Sequence, residues 1–199
     1  MRLDPDHHHR RSIRLKGYDY TQRGAYFVTI CTQNRACLFG DIVDGKMLLN
    51  DAGRMVQTVW EAMPVHYMGV VIDAFVVMPN HIHGIVVLVG AAPCGRPPMG
   101  QAQGPAPTVA MSLPDVVHRF KTMTTKQYAD GVKQSGWSPF PGQLWERNYY
   151  EHIIRGEDSP NRVRRYIADN PAQWELDREN PTASATQRIV PTKDDPWRL

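Results

Sequence analysis

Two histidines one residue apart, His81 and His83, are the residues whose type and spacing point most directly to chemistry. They lie in VVIDAFVVMPNHIHGIVVLVG, residues 70–90, which is typical of two apolar strands joined by a Met-Pro-Asn turn. Because side chains two positions apart on a strand share a face, both imidazoles should point one way and Ile82 the other. Neutral imidazole is a common metal ligand. The pair therefore predicts a metal site, the alternative being two histidines that only satisfy hydrogen bonds at a strand end.

A metal needs further ligands, and the last predicted helix offers them. The stretch SPNRVRRYIADNPAQW begins with Ser-Pro, a typical helix start, and places Tyr166 and Asn170 four residues apart on one helical face. Val163 and Ile167 form an adjoining apolar stripe that would dock on the sheet. This helix could bring a phenol and an amide oxygen beside the two imidazoles.

The remaining elements define the scaffold. Apolar periodicity and capping residues predict a strand at 25–32, a helix at 50–63 capped by Asn50, a helix at 112–128 with a capping box, and a strand at 144–154. With the two strands of 70–90, the first six elements follow the ferredoxin-like, RNA-recognition-motif-like order. The sequence therefore predicts an α+β fold, an antiparallel sheet with helices on one face, plus an additional C-terminal helix.

The composition fits one globular domain with extensions. The chain has 199 residues, 42% of them hydrophobic and 22% charged, and its longest uncharged apolar run, residues 84–92, is too short to span a bilayer. The N-terminal segment lacks the apolar core of a signal peptide. With its three cysteines outside metal-site spacing, the chain is expected to be cytoplasmic with reduced thiols and no membrane partner.

Three regions are predicted along the chain: a basic arm at 1–24, a domain at 25–176 with a flexible Pro/Gly-rich insertion at 91–108, and a polar tail at 177–199 expected to trail over the surface. Residues 1–16 hold five basic and two acidic side chains, which accounts for the net charge of +3. Such an arm either holds a phosphate backbone or is a solvated tail. The basic residues that are candidates for contacting a phosphate backbone are Arg10, Arg11, Arg14, Lys16, Arg119, Lys121 and Arg165.

The motifs carry a resemblance to a known family. His81-Ile82-His83 resembles the His-hydrophobic-His motif of HUH single-strand endonucleases. MPNHIHGIV, LWERNYYEHIIR and VRRYIADNP, with the opening HHRRSIRLKGYDYTQRGAYFVTICTQNR, are similar to the REP-associated tyrosine transposases, relatives of the single-tyrosine transposases of small insertion sequences. The similarity spans roughly residues 8–175 in several motifs in the same order.

This resemblance implies a mechanism and a substrate. In such enzymes a helix-borne tyrosine, here Tyr166, attacks a DNA phosphodiester and leaves a 5′-phosphotyrosine and a free 3′-hydroxyl. Asn170 joins His81 and His83 at a divalent metal, Mg²⁺ or Mn²⁺, and the C-terminal helix is the catalytic helix. The implied partner is single-stranded or hairpin DNA, in particular repetitive extragenic palindromes, bound by a monomer or a homodimer.

Several alternatives remain open. Tyr149 and Tyr150 are rival nucleophiles, although neighbours on a strand face opposite sides, so at most one of them could reach the site. A ferredoxin-like sheet with aromatic residues and a basic groove is also typical of non-catalytic modules that bind single-stranded nucleic acid. That module would have no need of the histidine pair or of Asn170.

Overall fold

The computed structural model describes residues 17–89, 111–156 and 159–183. The predicted contacts of the basic arm, Arg10, Arg11, Arg14 and Lys16, and the Pro/Gly-rich insertion at 91–108 lie outside the described residues.

Four strands of the described chain form the main sheet. In chain order the elements are β1 Gly24–Cys31, β2 Gly40–Val43, β3 Lys46–Leu49, α1 Asp51–His66, β4 Val70–Val77, β5 His81–Leu88, α2 Leu113–Ser135, β6 Tyr150–Ile154 and α3 Ser159–Asp169. The main sheet has the order β4-β5-β1-β6, and every neighbouring pair is antiparallel. This is the strand order of a ferredoxin-like fold. The predicted α+β class is therefore confirmed.

The strand periodicity of β5 divides the molecule into two layers. Ile82, Val86 and Leu88 are buried in the large core that also contains the apolar faces of α1 and α2. The opposite face of the sheet carries a smaller cluster, in which Val163 and Ile167 of α3 pack on apolar residues of β1 and β5. The predicted docking of α3 through these two residues is thus confirmed.

The predicted helix starts are also confirmed. The Asn50 side chain accepts a hydrogen bond from the Gly53 amide at 2.9 Å and caps α1. Ser112 and Asp115 form the capping box of α2. This helix runs seven residues beyond the predicted end at 128, to Ser135, and ends at Gly136, whose φ of 67° is the left-handed conformation that glycine adopts without strain.

Gly84 follows the histidine pair and has a packing role. A Cβ atom at this position would lie 2.5 Å from Cζ2 of Trp60. The Trp60 ring stacks on Phe75 with 4.8 Å between the ring centroids. Glycine therefore lets α1 approach the centre of the sheet closely.

The structure departs from the sequence prediction in three further places. A second sheet, the hairpin of β2 and β3, was not predicted, although its turn residues Asp44 and Gly45 both have positive φ and form the Asp-Gly pair favoured in such turns. The strand predicted at 144–154 is confined to β6. Residues 177–183, expected to trail over the surface, instead include the buried Glu179, Asn180 and Ala183.

None of the helices in the described part of the chain is long and apolar enough to cross a membrane.

Candidate metal centre

The two histidines share one face of β5, on the side of the sheet covered by α3. The relative exposure of His81 is 0% and that of His83 is 3%. On β1, Cys31 lies opposite His81 and Thr29 lies opposite His83, so all four residues occupy the same face. The Nε2 atoms of the two imidazoles are 3.1 Å apart. Both rings therefore converge on one point.

Asn80, which precedes the pair, orients His81. Its buried Nδ2 donates hydrogen bonds to the carbonyls of Arg35 at 3.1 Å and Glu179 at 2.7 Å. These two bonds fix the amide, so its Oδ1 faces Nδ1 of His81 at 2.8 Å. Because an amide oxygen can only accept, Nδ1 of His81 carries the proton and Nε2 presents a lone pair.

His83 has a more adaptable partner. Its Nδ1 lies 2.8 Å from the Thr29 hydroxyl, which can donate or accept a hydrogen bond. When the hydroxyl accepts from Nδ1, Nε2 of His83 is free to act as a ligand. When it donates, Nε2–H of His83 can instead donate to Nε2 of His81. The site can therefore adjust the tautomer of one histidine while the other stays fixed.

Burial keeps both imidazoles neutral. It lowers the pKa of His81 to about 3, with a smaller contribution from the positive charges of Arg35 and Arg178. The pKa of His83 lies well below its ordinary value, again mainly because of burial and then because of the neighbouring His81. A neutral imidazole has the lone pair that a metal requires.

Asp177, beyond the end of α3, lies beside the two histidines. Its Oδ2 atom is 3.6 Å from Nε2 of His81, and ligand atoms of Asp177, His81 and His83 all lie within 4.8 Å of one another. Its Oδ1 atom accepts a hydrogen bond from the Glu179 amide at 2.7 Å. Burial raises the pKa of this carboxyl to about 6.

These residues fit a divalent cation. Two ligand atoms at right angles on such an ion, each bonded at ~2.1 Å, lie ~3.0 Å apart, and two at a tetrahedral angle lie ~3.4 Å apart. The separation between the two Nε2 atoms, 3.1 Å, and that between Nε2 of His81 and Oδ2 of Asp177, 3.6 Å, are close to these values. Oδ2 of Asp177 and Oδ1 of Asn170 are both buried and accept no hydrogen bond from the described residues. Unpartnered buried oxygens are unfavourable unless a cation or water satisfies them.

Helix α3 brings Tyr166 to the histidines. The half-buried Tyr166 ring has its centroid 5.3 Å from that of His83 and 5.9 Å from that of Phe27. Three charge-assisted bonds anchor the helix to β4: Nε of Arg164 donates to both carboxylate oxygens of Asp73, at 3.1 and 3.0 Å, and Nη2 donates to Oδ2 at 2.6 Å. Helix α3 ends at Asp169, and Asn170 opens the following 3₁₀ turn, in which it is buried.

Glu179 organises the segment that follows. Its carboxylate accepts hydrogen bonds from Nε of Arg35 at 2.5 Å and Nε of Arg178 at 3.0 Å, and Sγ–H of Cys31 points to it at 3.6 Å. Burial opposes the ionisation of Glu179, but the two guanidinium groups outweigh it and lower the pKa of the carboxyl. This cluster secures the residues around Asp177 against the sheet.

The predicted DNA-binding residues in the described chain have different surroundings. Arg165 is exposed on α3 beside the site. Arg119 is exposed on α2, in the layer on the other side of the sheet. The Lys121 ammonium donates to three carbonyls of residues 146–148, at 2.7 to 3.3 Å, which gives it a structural role in that loop.

Tyr149 and Tyr150 lie on opposite sides of the sheet. Tyr149 packs against the large core, with the Lys121 ammonium 5.6 Å from its ring centroid. Tyr150 belongs to the cluster on the site face, 6.3 Å from Phe27 between ring centroids, and the Arg178 guanidinium lies 6.0 Å from its ring. Tyr150 therefore shares a face with the histidines, whereas Tyr149 does not.

Sequence reasoning did not identify Asn80, Asp177 and Glu179 as residues of this site. The sequence shows that Asn80 precedes the first histidine in a turn. It does not show the three hydrogen bonds that the Asn80 side chain makes. Asp177 and Glu179 follow the last helix in a polar stretch, and no spacing in the sequence links them to residues 81–83.

Comparison with known proteins gives a relative and a fold. No protein-family model matches the chain. A protein of Haemophilus influenzae (strain ATCC 51907 / DSM 11121 / KW20 / Rd), described as an uncharacterized protein, is 42% identical over 176 residues, which cover 85% of this chain and 92% of the relative.

A solved structure of a REP-associated tyrosine transposase bound to a REP hairpin superposes with a TM-score of 0.50 at 19% identity. The superposition covers 81% of this chain and 74% of the transposase chain. A second structure, from Deinococcus radiodurans R1, gives a TM-score of 0.41, also at 19% identity, over 78% of this chain and 95% of that chain. The resemblance predicted from the sequence is thus confirmed in the fold.

Proposed function

The chain belongs to one family with the Haemophilus influenzae protein and has the fold of a REP-associated tyrosine transposase, and on this premise we propose that it is a transposase of that kind. It cleaves and rejoins single-stranded DNA in a metal-dependent reaction that passes through a 5′-phosphotyrosine. Tyr166 is the nucleophile, and His81, His83 and Asn170 hold the metal.

One observation carries this proposal: a tyrosine on a docked helix lies against a buried pair of convergent histidines. The ring centroids of Tyr166 and His83 are 5.3 Å apart, and the two Nε2 atoms are 3.1 Å apart. A module that only binds nucleic acid gains nothing from burying two neutral imidazoles beside a tyrosine. Burial of polar groups is costly, so the convergence of the two imidazoles favours a catalytic metal site.

The residues have separate roles in the reaction. The phenolic oxygen of Tyr166 forms a bond to phosphorus while the bond to the 3′ oxygen breaks; the phenol loses its proton, and the departing oxygen gains one. A divalent cation held by His81, His83 and Asn170 would polarise the phosphate and offset the charge that develops on it. Asn80 and Thr29 keep the imidazoles aimed at this position. Because one phosphoester replaces another, the strands can be rejoined without a nucleotide cofactor.

Exposed basic residues around the site hold the DNA. Arg165 lies next to the nucleophile in the chain, and the exposed guanidinium of Arg178 adjoins Tyr150. We propose that Arg165 contacts phosphates and that Tyr150 stacks on a base, as aromatic residues do in single-strand binding proteins. The basic arm, with Arg10, Arg11, Arg14 and Lys16, is proposed to extend this contact.

The proposed substrate is a repetitive extragenic palindrome, a hairpin with a single-stranded flank where cleavage occurs. The fold neighbour was solved with a REP hairpin, which supports this choice of DNA class. A hairpin supplies a duplex for the protein to recognise by shape and a single strand that can enter the site. Arg119, on the opposite layer, would reach only DNA that wraps around the edge of the sheet.

A cleavage assay with end-labelled single strands and hairpins tests the proposal. The wild-type chain is expected to nick single-stranded DNA beside a hairpin when Mg²⁺ or Mn²⁺ is present and not in EDTA. Tyr166→Phe and His81→Ala should abolish nicking, whereas Asn148→Ala, at an exposed position, should not change it. Binding of the same DNA with no cleavage in any metal would instead support the non-catalytic binding module.

A further inference from the structure

We propose that the carboxylate of Asp177 binds the same cation as His81 and His83, so that the segment after α3 closes the metal centre. This inference rests on the proposed function, since it adds a ligand to the metal site. It assigns a chemical role to residues 177–183, which the sequence presents as a polar tail.

The position of the carboxylate is the first argument. Oδ2 of Asp177 lies 3.6 Å from Nε2 of His81, close to the distance between two ligands of one cation. This oxygen is buried and accepts no hydrogen bond within the described part of the chain. His81 cannot act as its partner, because the proton of that imidazole lies on the far nitrogen, held by Asn80.

The orientation of the carboxylate is the second argument. Oδ1 of Asp177 is held by the Glu179 amide at 2.7 Å, so the two oxygens are inequivalent and one is directed at the histidines. The Glu179 carbonyl accepts a hydrogen bond from Asn80 at 2.7 Å. The same asparagine thus orients His81 on one side and the Asp177 segment on the other. Hydrogen bonds of this kind are the usual supports of metal ligands.

The charge of the site is the third argument. Two neutral imidazoles and an amide give an uncharged ligand set, and a carboxylate adds a single negative charge to it. A buried carboxylate with no cationic partner is unfavourable. Arg35 and Arg178 both donate to Glu179 and form no ion pair with Asp177 within the described residues, so their charges act on Asp177 only from a longer distance. A bound divalent cation would supply a direct cationic partner for this carboxylate. A carboxylate oxygen favours Mg²⁺ or Mn²⁺ over softer ions.

The first test is a calorimetric titration of the full-length, DNA-free chain with Mn²⁺. Asp177→Asn keeps the shape and the oxygen that accepts from Glu179, and we expect it to weaken Mn²⁺ binding at least about tenfold. Asp169→Asn is the matched control, since Asp169 is exposed at the end of α3, and its affinity should equal that of the wild type. An Asp177→Asn affinity within twofold of the wild type would overturn the inference.

His81→Ala separates this inference from the proposed function. If His81→Ala abolishes Mn²⁺ binding and Asp177→Asn does not weaken it, the metal centre stands and the role of Asp177 is refuted. If neither substitution changes the binding, the metal centre itself is refuted, and the inference with it. The midpoint of thermal unfolding without metal shows that each variant is folded.

A second variant gives a direct signal from the ligand. A thiolate at position 177 should bind the soft ion Cd²⁺ and produce the ultraviolet charge-transfer absorption of a cadmium–sulfur bond. We expect this band in Asp177→Cys at one equivalent of Cd²⁺. It should be absent from the wild type, which controls for the native cysteines, and from Asp177→Cys combined with His81→Ala. An Asp177→Cys spectrum identical to that of the wild type would contradict the proposal.

Discussion

Replacement of Asn80 by alanine should destabilise the chain strongly, because this side chain joins three parts of the structure. It donates to the carbonyls of Arg35 and Glu179 and accepts from Nδ1 of His81, and its exposed fraction is 0%. Alanine leaves one buried acceptor, one partly buried acceptor and one buried donor without their partner. Each such group costs ~1–3 kcal/mol, and entry of water into the space would recover part of the loss. We expect a decrease of ~3–5 kcal/mol in the free energy of unfolding.

Denaturant unfolding of the metal-free chain measures this decrease. The matched control is Asn148→Ala, an exposed asparagine whose replacement should change stability by less than ~0.5 kcal/mol. Nitrogen-15 NMR provides a second readout, since the wild-type His81 should carry its proton on Nδ1 and the variant should lose that preference. A stability loss below ~1 kcal/mol together with an unchanged tautomer would refute the assignment of Asn80 as the hub of the site.

Three further predictions concern pH and the basic residues. The free energy of unfolding of the metal-free chain should fall as the pH drops below about 6.5, because the unfolded chain then protonates two histidines that the folded chain keeps neutral. In the folded chain the pKa of His81 is about 3 and the pKa of His83 lies well below its ordinary value. The pKa of Asp177 is raised from 3.8 to about 6, so its protonation stabilises the folded chain as the pH falls from about 6 to 3.8 and reduces the loss of stability in that range. Acid unfolding monitored by circular dichroism measures the dependence of stability on pH. Lys121→Ala should cost ~1–2 kcal/mol in denaturant unfolding through its loop contacts and leave the salt dependence of DNA binding unchanged. Arg165→Ala should leave stability almost unchanged. It should reduce the slope of the logarithm of DNA affinity against the logarithm of salt concentration by ~0.7, the value for one single-strand phosphate contact.

The features of this structure that the sequence predicts follow from strand alternation, helix capping and helical spacing. Alternation along β5 places Ile82 in the large core and both histidines on the other face. Capping residues mark the starts of α1 and α2, and the spacing of Val163 and Ile167 shows which side of α3 docks. Each of these features depends on residues that are near one another in sequence.

The features that were not predicted depend on contacts between distant residues. Asp177 is 96 positions from His81, and a polar residue after a helix is equally compatible with a solvated tail, so only the folded arrangement reveals its proximity. Lys121 was expected to contact DNA because its charge is visible in the sequence, whereas the carbonyls that bind it are not. The hairpin of β2 and β3 is different, since its Asp-Gly turn is a local signal that could have been used.

The identity of the nucleophile is the central claim, and a covalent adduct tests it most directly. The wild-type chain is incubated with hairpin DNA labelled downstream of the cleavage site and with Mn²⁺, then denatured and digested, and the DNA-linked peptide is sequenced by mass spectrometry. We predict a single modified residue, Tyr166, joined to the 5′ phosphate of the downstream fragment, and no adduct from Tyr166→Phe. An adduct on Tyr150, or full cleavage by Tyr166→Phe, would contradict the account.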